Sequence, residues 1–334
     1  MTTAAVQPLD ACAAVRSVAR YLPDGVRAAL VNLSAETLAR LEEIRLRAGG
    51  PLAVTGAMGE LFLTPRGLLT ADPERAAPVG REEVAATLER MAGFSLYALE
   101  EELRQGFLTL PGGHRVGFVG RAVVREGRLS RLKWVSGLDI RLARARAGCA
   151  GEVLPLLLDG EGGVRSTVIV APPRGGKTTL LREIVRLVSQ GVPSLGLVGQ
   201  SVGVVDERSE IGGAHEGVAT LPLGPRTDLL DACPKAEGLF LLVRAMGPRV
   251  VATDEIGRPE DALALLEAAT AGVRVLATAH ARSREELWRR PALAPLWAAG
   301  VVERFVVLSR RRGPGTLEGV MDGEGRPVTA PAPA

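Results

Sequence analysis

The segment TVIVAPPRGGKTTLLREIVRLVSQ, residues 167–190, contains an apolar run, a loop rich in proline and glycine, and an amphipathic run in direct succession. The apolar run ends at Val170, and the amphipathic run carries leucine, isoleucine and valine at helical spacing from Leu180 onward. In a strand, glycine loop and helix of this order, the loop N–H groups and the positive helix end converge on one point. The segment therefore predicts a phosphate-binding loop in an α/β fold.

The loop residues have the chemistry that a bound nucleoside triphosphate requires. We expect Gly175 and Gly176 to permit close approach of the phosphates, Lys177 to reach the β- and γ-phosphates, and Thr178 to offer its hydroxyl to Mg²⁺. One position departs from the usual pattern, because Ala171 replaces the first glycine. The predicted cofactors are therefore ATP and Mg²⁺. The predicted nucleotide-binding residues are Pro172, Pro173, Arg174, Gly175, Gly176, Lys177, Thr178 and Thr179.

A second motif, RVVATDE at residues 249–255, is an apolar strand that ends in two acids. We expect Asp254 to bind Mg²⁺ together with Thr178, partly through water, and Glu255 to polarise the attacking water. Two acids at a strand end can also simply face solvent. That explanation accounts for either motif alone but poorly for both in this order, so a catalytic pair is favoured.

A histidine closes the next apolar strand, RVLATAH at residues 274–280. Parallel strands end on the same edge of a sheet, where ligands bind in open α/β folds. His280 is therefore a candidate contact for the γ-phosphate, although a lone histidine at a strand end is often structural. The neighbouring motifs favour the functional interpretation.

An acidic loop follows the apolar strand 202–205 and begins with Asp206 and Glu207. These acids could orient water or Mg²⁺, or they could pair with Arg208 and Arg226 in a loop network, and the sequence does not separate the two possibilities. The candidate catalytic residues are Glu255, Lys177, His280, Asp206 and Glu207.

The pattern along the chain predicts two domains and a tail. Residues 1–150 alternate short strands with helical stretches, including 81–93 and 95–106, and predict a smaller mixed α/β domain. Residues 151–320 alternate apolar strands with helices, which predicts an α/β core with a mostly parallel sheet covered on both faces. Residues 321–334 are rich in glycine, proline and alanine and predict a flexible tail.

Composition narrows the classes of protein further. The chain has 334 residues, 46% of them hydrophobic, with a formal charge of +3 and three widely spaced cysteines. The cysteine spacing indicates neither a zinc site nor a disulfide framework. No window approaches the roughly 18 uninterrupted apolar residues of a membrane span. We therefore expect a cytoplasmic protein that does not insert into a membrane. If it functions at a membrane, we expect a protein partner to hold it there.

Six segments together resemble the stage III sporulation protein AA family, within the wider class of type II and type IV secretion and pilus ATPases. Two motifs within them, DERSEI at residues 206–211 and GPRTDLLDACPKAEG at residues 224–238, are close to family-specific. The segments are EEIRLR (42–47), EELRQGFLTLPGGHRVGFVG (101–120), PPRGGKTTLLREIVR (172–186), VGVVDERSEIGG (202–213), GPRTDLLDACPKAEG (224–238) and ATDEIGRPEDALALLEAATAGVRVLATAHA (252–281).

The resemblance implies a RecA-like P-loop NTPase core behind the smaller N-terminal domain, assembled as a homo-hexamer with ATP between subunits. It places Asp206 and Glu207 in an acidic box and His280 in a histidine box. It also implies an arginine from the N-terminal domain or a neighbouring subunit, for which Arg115, Arg121 and Arg141 are candidates. The implied partners are membrane proteins of a sporulation channel between mother cell and forespore, which the motor would energise.

Two other functions fit parts of the sequence. A nucleic-acid-linked RecA-like ATPase would use aromatic stacking residues within basic patches, but only 3% of the chain is aromatic, so nucleic acid is not the expected partner. A nucleotide-binding scaffold ring with little turnover would not need the water-activating Glu255. Trapping of ATP by a Glu255→Gln variant would distinguish a hydrolase from this scaffold.

Overall fold

The computed structural model describes residues 12–56, 59–93, 106–143 and 146–329. The chain divides into two compact units, Met1–Arg144 and Ala145–Ala334. The boundary thus falls between residues 144 and 145, whereas the sequence pattern predicts it at residue 150. Each unit has its own hydrophobic core.

The first unit combines helices with an antiparallel sheet. Its helices are α1 (Ala13–Ala19), α2 (Asp24–Val31), α3 (Ala35–Arg40) and α4 (Arg81–Met91). Its strands are β1 (Leu41–Arg47), β2 (Gly50–Pro51), β3 (Ala53–Gly56), β4 (Gly59–Leu63), β5 (Leu69–Thr70), β6 (Pro78–Val79), β7 (Phe107–Leu110), β8 (His114–Arg125) and β9 (Arg128–Arg141). The helix predicted over 95–106 lies, apart from its last residue, outside the described residues.

Seven of these strands form one sheet in the order β5-β4-β3-β1-β9-β8-β7, and all its pairings are antiparallel. Alternation of side chains along β1 buries Ile44 and Leu46 in the core of the unit, beside Ile140 of β9. Gly80 caps the start of helix α4, and its backbone N–H donates to the Glu83 carboxylate at 2.9 Å. The first unit thus contains both helices and strands around one core.

The second unit has six helices and seven strands within the described residues. Its helices are α5 (Leu154–Leu157), α6 (Lys177–Gln190), α7 (Lys235–Met246), α8 (Pro259–Thr270), α9 (Arg284–Trp288) and α10 (Ala294–Ala298). Its strands are β10 (Thr167–Ala171), β11 (Val202–Asp206), β12 (Thr227–Asp231), β13 (Val250–Thr253), β14 (Arg274–His280), β15 (Arg304–Ser309) and β16 (Thr316–Asp322).

The sheet of the second unit is mixed rather than wholly parallel. Its order is β12-β11-β13-β14-β10-β15-β16; the β15–β16 pairing is antiparallel and the others are parallel. Alternate residues of β10 face two cores, since Ile169 packs on one side and Val168 on the other. Burial on both faces explains why these strands are apolar throughout, as the sequence predicts.

Strand pairing extends beyond residue 321, where the sequence predicts a flexible tail. Strand β16 continues to Asp322, and the Val328 N–H donates to the Val320 carbonyl at 2.8 Å. The first part of the predicted tail, residues 321–329, thus contains strand and bridge residues, because valine and methionine side chains there pack on the core. Residues 330–334 lie outside the described residues.

Candidate nucleotide-binding and catalytic site

The predicted phosphate-binding loop connects strand β10 to helix α6. The Gly175 N–H donates to the Pro172 carbonyl at 3.0 Å, which closes the loop just before the helix begins. Gly176 precedes the helix with φ of 87°, a conformation that favours glycine. A Cβ at Gly176 would also lie 2.9 Å from the backbone nitrogen of Gly315, so this position requires glycine on two counts.

A hairpin turn supports the loop from the other side. The Gly315 N–H, in the turn between β15 and β16, donates to the Gly175 carbonyl at 3.0 Å. This contact joins residues far apart in sequence, and no motif in the chain indicates it. The hairpin therefore contributes to holding the loop in shape before any ligand binds.

The parallel register brings the predicted site residues to one edge of the sheet. Ala171, the last residue of β10, is paired with His280 of β14, and Thr253 of β13 is paired with Val205 of β11. The residues that follow these strands, including Asp254, consequently lie at the same carboxyl-terminal edge as the phosphate-binding loop.

Four charged or titratable side chains form a continuous chain of contacts at this edge. Lys177 Nζ lies 2.9 Å from His280 Nδ1, and His280 Nε2 lies 2.7 Å from Glu255 Oε1. The second oxygen of Glu255 accepts a hydrogen bond from Arg208 Nη1 at 2.8 Å. An ammonium group only donates, so Nδ1 of His280 accepts and Nε2 is left to donate to Glu255.

The environment of this chain of contacts shifts two pKa values. Burial lowers the pKa of Lys177, although nearby Glu255 and Asp254 act in the opposite direction. Burial alone would raise the pKa of Glu255, but the hydrogen bond from His280 and the nearby cations Arg208 and Lys177 bring it below its usual value. Glu255 is thus held as a carboxylate whose charge is compensated by its neighbours.

The backbone at Glu255 is strained and fixed. Its φ is 46°, in the left-handed region that side chains other than glycine seldom adopt. Its N–H donates to the Thr278 hydroxyl at 2.9 Å, and the next N–H, of Ile256, donates to the Thr278 carbonyl. Thr278 therefore sets the direction in which the Glu255 side chain leaves the strand end.

Asp254 is buried without a protein partner. Its side chain is fully inaccessible, and neither carboxylate oxygen has a hydrogen-bond partner among the described residues. Burial raises the pKa of Asp254 to about 7, with the acids Asp206 and Glu210 adding to the effect. An unpartnered buried carboxylate beside a phosphate-binding loop is the arrangement that a divalent cation would satisfy.

The donor set fits Mg²⁺ held jointly with a nucleotide rather than a cage made of protein alone. The described residues contain no group of three histidine, cysteine, aspartate or glutamate side chains that could bind a metal by themselves. Mg²⁺ at such sites keeps waters and binds one or two protein oxygens together with substrate phosphates. The hydroxyl of Thr178 at the start of α6 and the carboxylate of Asp254 match that need.

Asp206 shapes the acidic loop. Its carboxylate accepts backbone hydrogen bonds from Glu210, Ile211 and Gly212, each at 2.8 Å. Burial nevertheless raises the pKa of Asp206 to about 6. Both oxygens are thus used in folding the loop, and a direct catalytic role for Asp206 remains a prediction.

Other polar residues fix the remainder of this loop. Glu207 forms an ion pair with the buried Lys235, and the Ser209 hydroxyl donates to Asp231 at 2.7 Å. The guanidinium of Arg182, on α6, donates to the carbonyls of Glu210 and Ile211. Sequence reasoning misses Arg182, because an arginine on an amphipathic helix carries no signal of burial.

The three candidate arginines of the first unit differ in their surroundings. The Arg115 guanidinium lies over the Phe107 ring at 3.8 Å, and Arg141 contacts the carboxylates of Asp139 and Glu43. Arg121 lies over the Trp134 ring at 5.2 Å, and no ion pair of Arg121 occurs within the part of the chain that the structure describes. Among the described residues, Arg121 is therefore the candidate whose charge is least compensated by neighbouring side chains.

Among the described residues, no helix has the length and apolar character needed to cross a lipid bilayer.

The chain matches the protein family described as "Sporulation stage III, protein AA" over residues 14–328. It is 40% identical over 311 residues to Stage III sporulation protein AA of Bacillus subtilis (strain 168), covering 93% of this chain and 96% of that protein. It is also 31% identical over 163 residues to the protein SEEDLING PLASTID DEVELOPMENT 1 of Arabidopsis thaliana, covering 48% of this chain and 22% of that protein.

Two solved structures share the fold at low sequence identity. The Legionella pneumophila ATPase DotB is similar with a TM-score of 0.55 and 17% identity, over 81% of this chain and 73% of that chain. The pilus retraction motor PilT with bound ADP is similar with a TM-score of 0.52 and 15% identity, over 81% of this chain and 74% of that chain. The α/β fold is thus that of secretion and pilus ATPases.

Proposed function

The chain belongs to the Sporulation stage III, protein AA family, and from that premise we propose that it is an ATP-hydrolysing motor of the secretion-ATPase class with a RecA-like core. The observation that carries this proposal is the single sheet edge at which Lys177, His280 and Glu255 lie in contact beside the unpartnered carboxylate of Asp254. A fold that only needed to be stable would not bury an unpaired acid there.

In the proposed reaction, the loop N–H groups and Lys177 bind the phosphates of ATP. To do so, Lys177 exchanges its contact with His280 Nδ1 for a phosphate oxygen, and His280 becomes free to sense the γ-phosphate. Glu255 accepts a proton from the attacking water as the bond between the γ-phosphorus and the bridging oxygen breaks, which leaves ADP and phosphate. Thr278 holds the backbone that aims Glu255.

Thr178 and Asp254 are the residues that would hold Mg²⁺, partly through water. When bound, the cation neutralises charge on the β- and γ-phosphates and so lowers the barrier to transfer. Asp254 gains a partner for its buried carboxylate in this arrangement, which offsets the cost of its burial.

We propose that the active form is a homo-hexamer in which an arginine from a neighbouring subunit completes each site. Charge that develops on the γ-phosphate requires a further cation. Among the three candidates, Arg121 fits best, because Arg141 contacts two acids, and Arg115 lies closer to its ring, at 3.8 Å from Phe107, than Arg121 does, at 5.2 Å from Trp134. The cell compartment would be the cytoplasm, with docking onto membrane proteins of a sporulation channel that the motor energises.

The alternative of a nucleotide-binding scaffold gains some support from the resting site, because both Glu255 oxygens are already engaged by His280 and Arg208. A trapping experiment separates the two functions. Wild type and Glu255→Gln are incubated with Mg²⁺ and radiolabelled ATP, desalted, and the bound nucleotide is identified. A hydrolase retains ATP only in the variant and ADP or nothing in wild type, whereas a scaffold retains intact ATP in both.

A further inference from the structure

Four side chains form the chain of contacts at the site, and Arg208 alone among them has no role in the proposed reaction. It belongs to the DERSEI stretch that the sequence singles out, directly after Asp206 and Glu207. Its Nη1 donates to Glu255 Oε2 at 2.8 Å, and the two side chains are 47% and 23% exposed. An arginine of the acidic loop is therefore paired with the carboxylate of Glu255, the group that accepts a proton from water in the proposed reaction.

The loop around Arg208 is fixed on either side of it. Glu207, just before it, is held by Lys235, and Ser209, just after it, by Asp231. The backbone beyond is held by three hydrogen bonds to Asp206. Because the loop is already held on both sides of Arg208, the contact with Glu255 costs side-chain freedom but little further backbone freedom.

The contact leaves Glu255 with both oxygens engaged. Oε1 accepts from His280 and Oε2 accepts from Arg208. Each oxygen has further lone pairs, but a carboxylate between two cationic or hydrogen-bonding donors is poorly aimed at water. Since φ at Glu255 is 46° and its N–H is bound to Thr278, the side chain has little backbone freedom with which to turn away.

We propose that Arg208 restrains Glu255 in the free chain, so that turnover stays slow until an acidic group of a docking protein draws the guanidinium away. This inference rests on the proposed ATP hydrolysis. Arg208 is half-exposed, so a carboxylate can reach it from solvent without disturbing the buried Asp254 and Lys177. Arg208 acts through Glu255 and is therefore a positioning residue.

The test compares steady-state phosphate release by wild type, Arg208→Ala and Arg208→Lys, without any partner protein. Arg208→Ala is expected to raise kcat about threefold to fivefold, which corresponds to loss of one partly exposed ion pair, and to leave KM for ATP unchanged. Arg208→Lys keeps the cation and is expected to return kcat towards wild type. The exposed Arg289→Ala is the matched control and should not change kcat.

Two further measurements make each outcome decisive. Binding of a fluorescent ATP analogue shows that every variant is folded, and Arg208→Ala combined with Glu255→Gln should gain no turnover. A fall in kcat, a change confined to KM, or no change with Arg208→Ala would overturn the restraint while wild-type hydrolysis stands. If neither wild type nor Arg208→Ala turns over ATP that both bind, the restraint and the hydrolysis are both wrong.

Discussion

In the absence of Mg²⁺ and nucleotide, replacing Asp254 by asparagine is expected to increase the stability of the chain relative to wild type as the pH rises. Asp254 is fully buried, and its oxygens have no partner among the described residues. Ionising such a group costs free energy that the protein alone does not return. Asparagine has nearly the same shape and no charge, so it removes that cost.

The size of the effect follows from the pKa of Asp254, which burial raises from 3.8 to about 7. A raised pKa means that the folded chain holds the proton more tightly than the unfolded chain. The resulting contribution to stability is complete below about pH 4 and is lost as the pH rises through about 7. Between about pH 5 and pH 8.5, ionisation of Asp254 should lower the free energy of unfolding of the wild type by about 3 kcal/mol. The Asp254→Asn variant should not show this decrease.

Urea unfolding followed by circular dichroism in EDTA, at both pH values, measures this difference. The variant keeps an unsatisfied buried amide, which costs about 1–3 kcal/mol at every pH, so the change between the two pH values is the decisive quantity. Asp322→Asn is the control, because hydrogen bonds from Arg326 lower the pKa of the partly exposed Asp322 and removing that charge should not raise stability at high pH. A pH-independent difference between wild type and Asp254→Asn would refute the reasoning.

Three other substitutions give separate expectations. Gly176→Ala should cost about 2–4 kcal/mol in urea unfolding, from its positive φ and its approach to Gly315, whereas normal stability would contradict the loop geometry. Lys177→Met should weaken binding of a fluorescent ATP analogue by at least about tenfold, and unchanged affinity would remove Lys177 from the phosphate site. Arg121→Ala should abolish concentration-dependent turnover but spare ATP binding; if Arg141→Ala did this instead, our choice of arginine would be wrong.

The strand, loop and helix of the phosphate site follow directly from the sequence. Apolar runs such as that of β10 are long enough to cross a buried sheet, and Gly176 can adopt the positive φ that starts α6. Because parallel strands end at one edge, order along the chain also places Asp254 and His280 near Lys177. The family membership that the sequence motifs predict is confirmed.

The contacts that complete the site depend on long-range packing and are not predictable from local patterns. Gly315 supports the phosphate loop from a distant hairpin, and Arg182 crosses from α6 to carbonyls of the acidic loop. The sequence left Asp206 open between a catalytic and a structural role. Its three backbone hydrogen bonds favour the structural role, which a count of acids in a loop does not show.

The central claim is ATP hydrolysis at a site that Lys177 and Glu255 share with a neighbouring subunit. Phosphate release with Mg²⁺ and ATP, measured across a wide range of protein concentration for wild type, Lys177→Ala and Glu255→Gln, tests it most directly. We expect turnover per chain to rise steeply with concentration in wild type and to vanish in both variants. Turnover that persists in Glu255→Gln, or none in wild type at any concentration despite ATP binding, would contradict the claim.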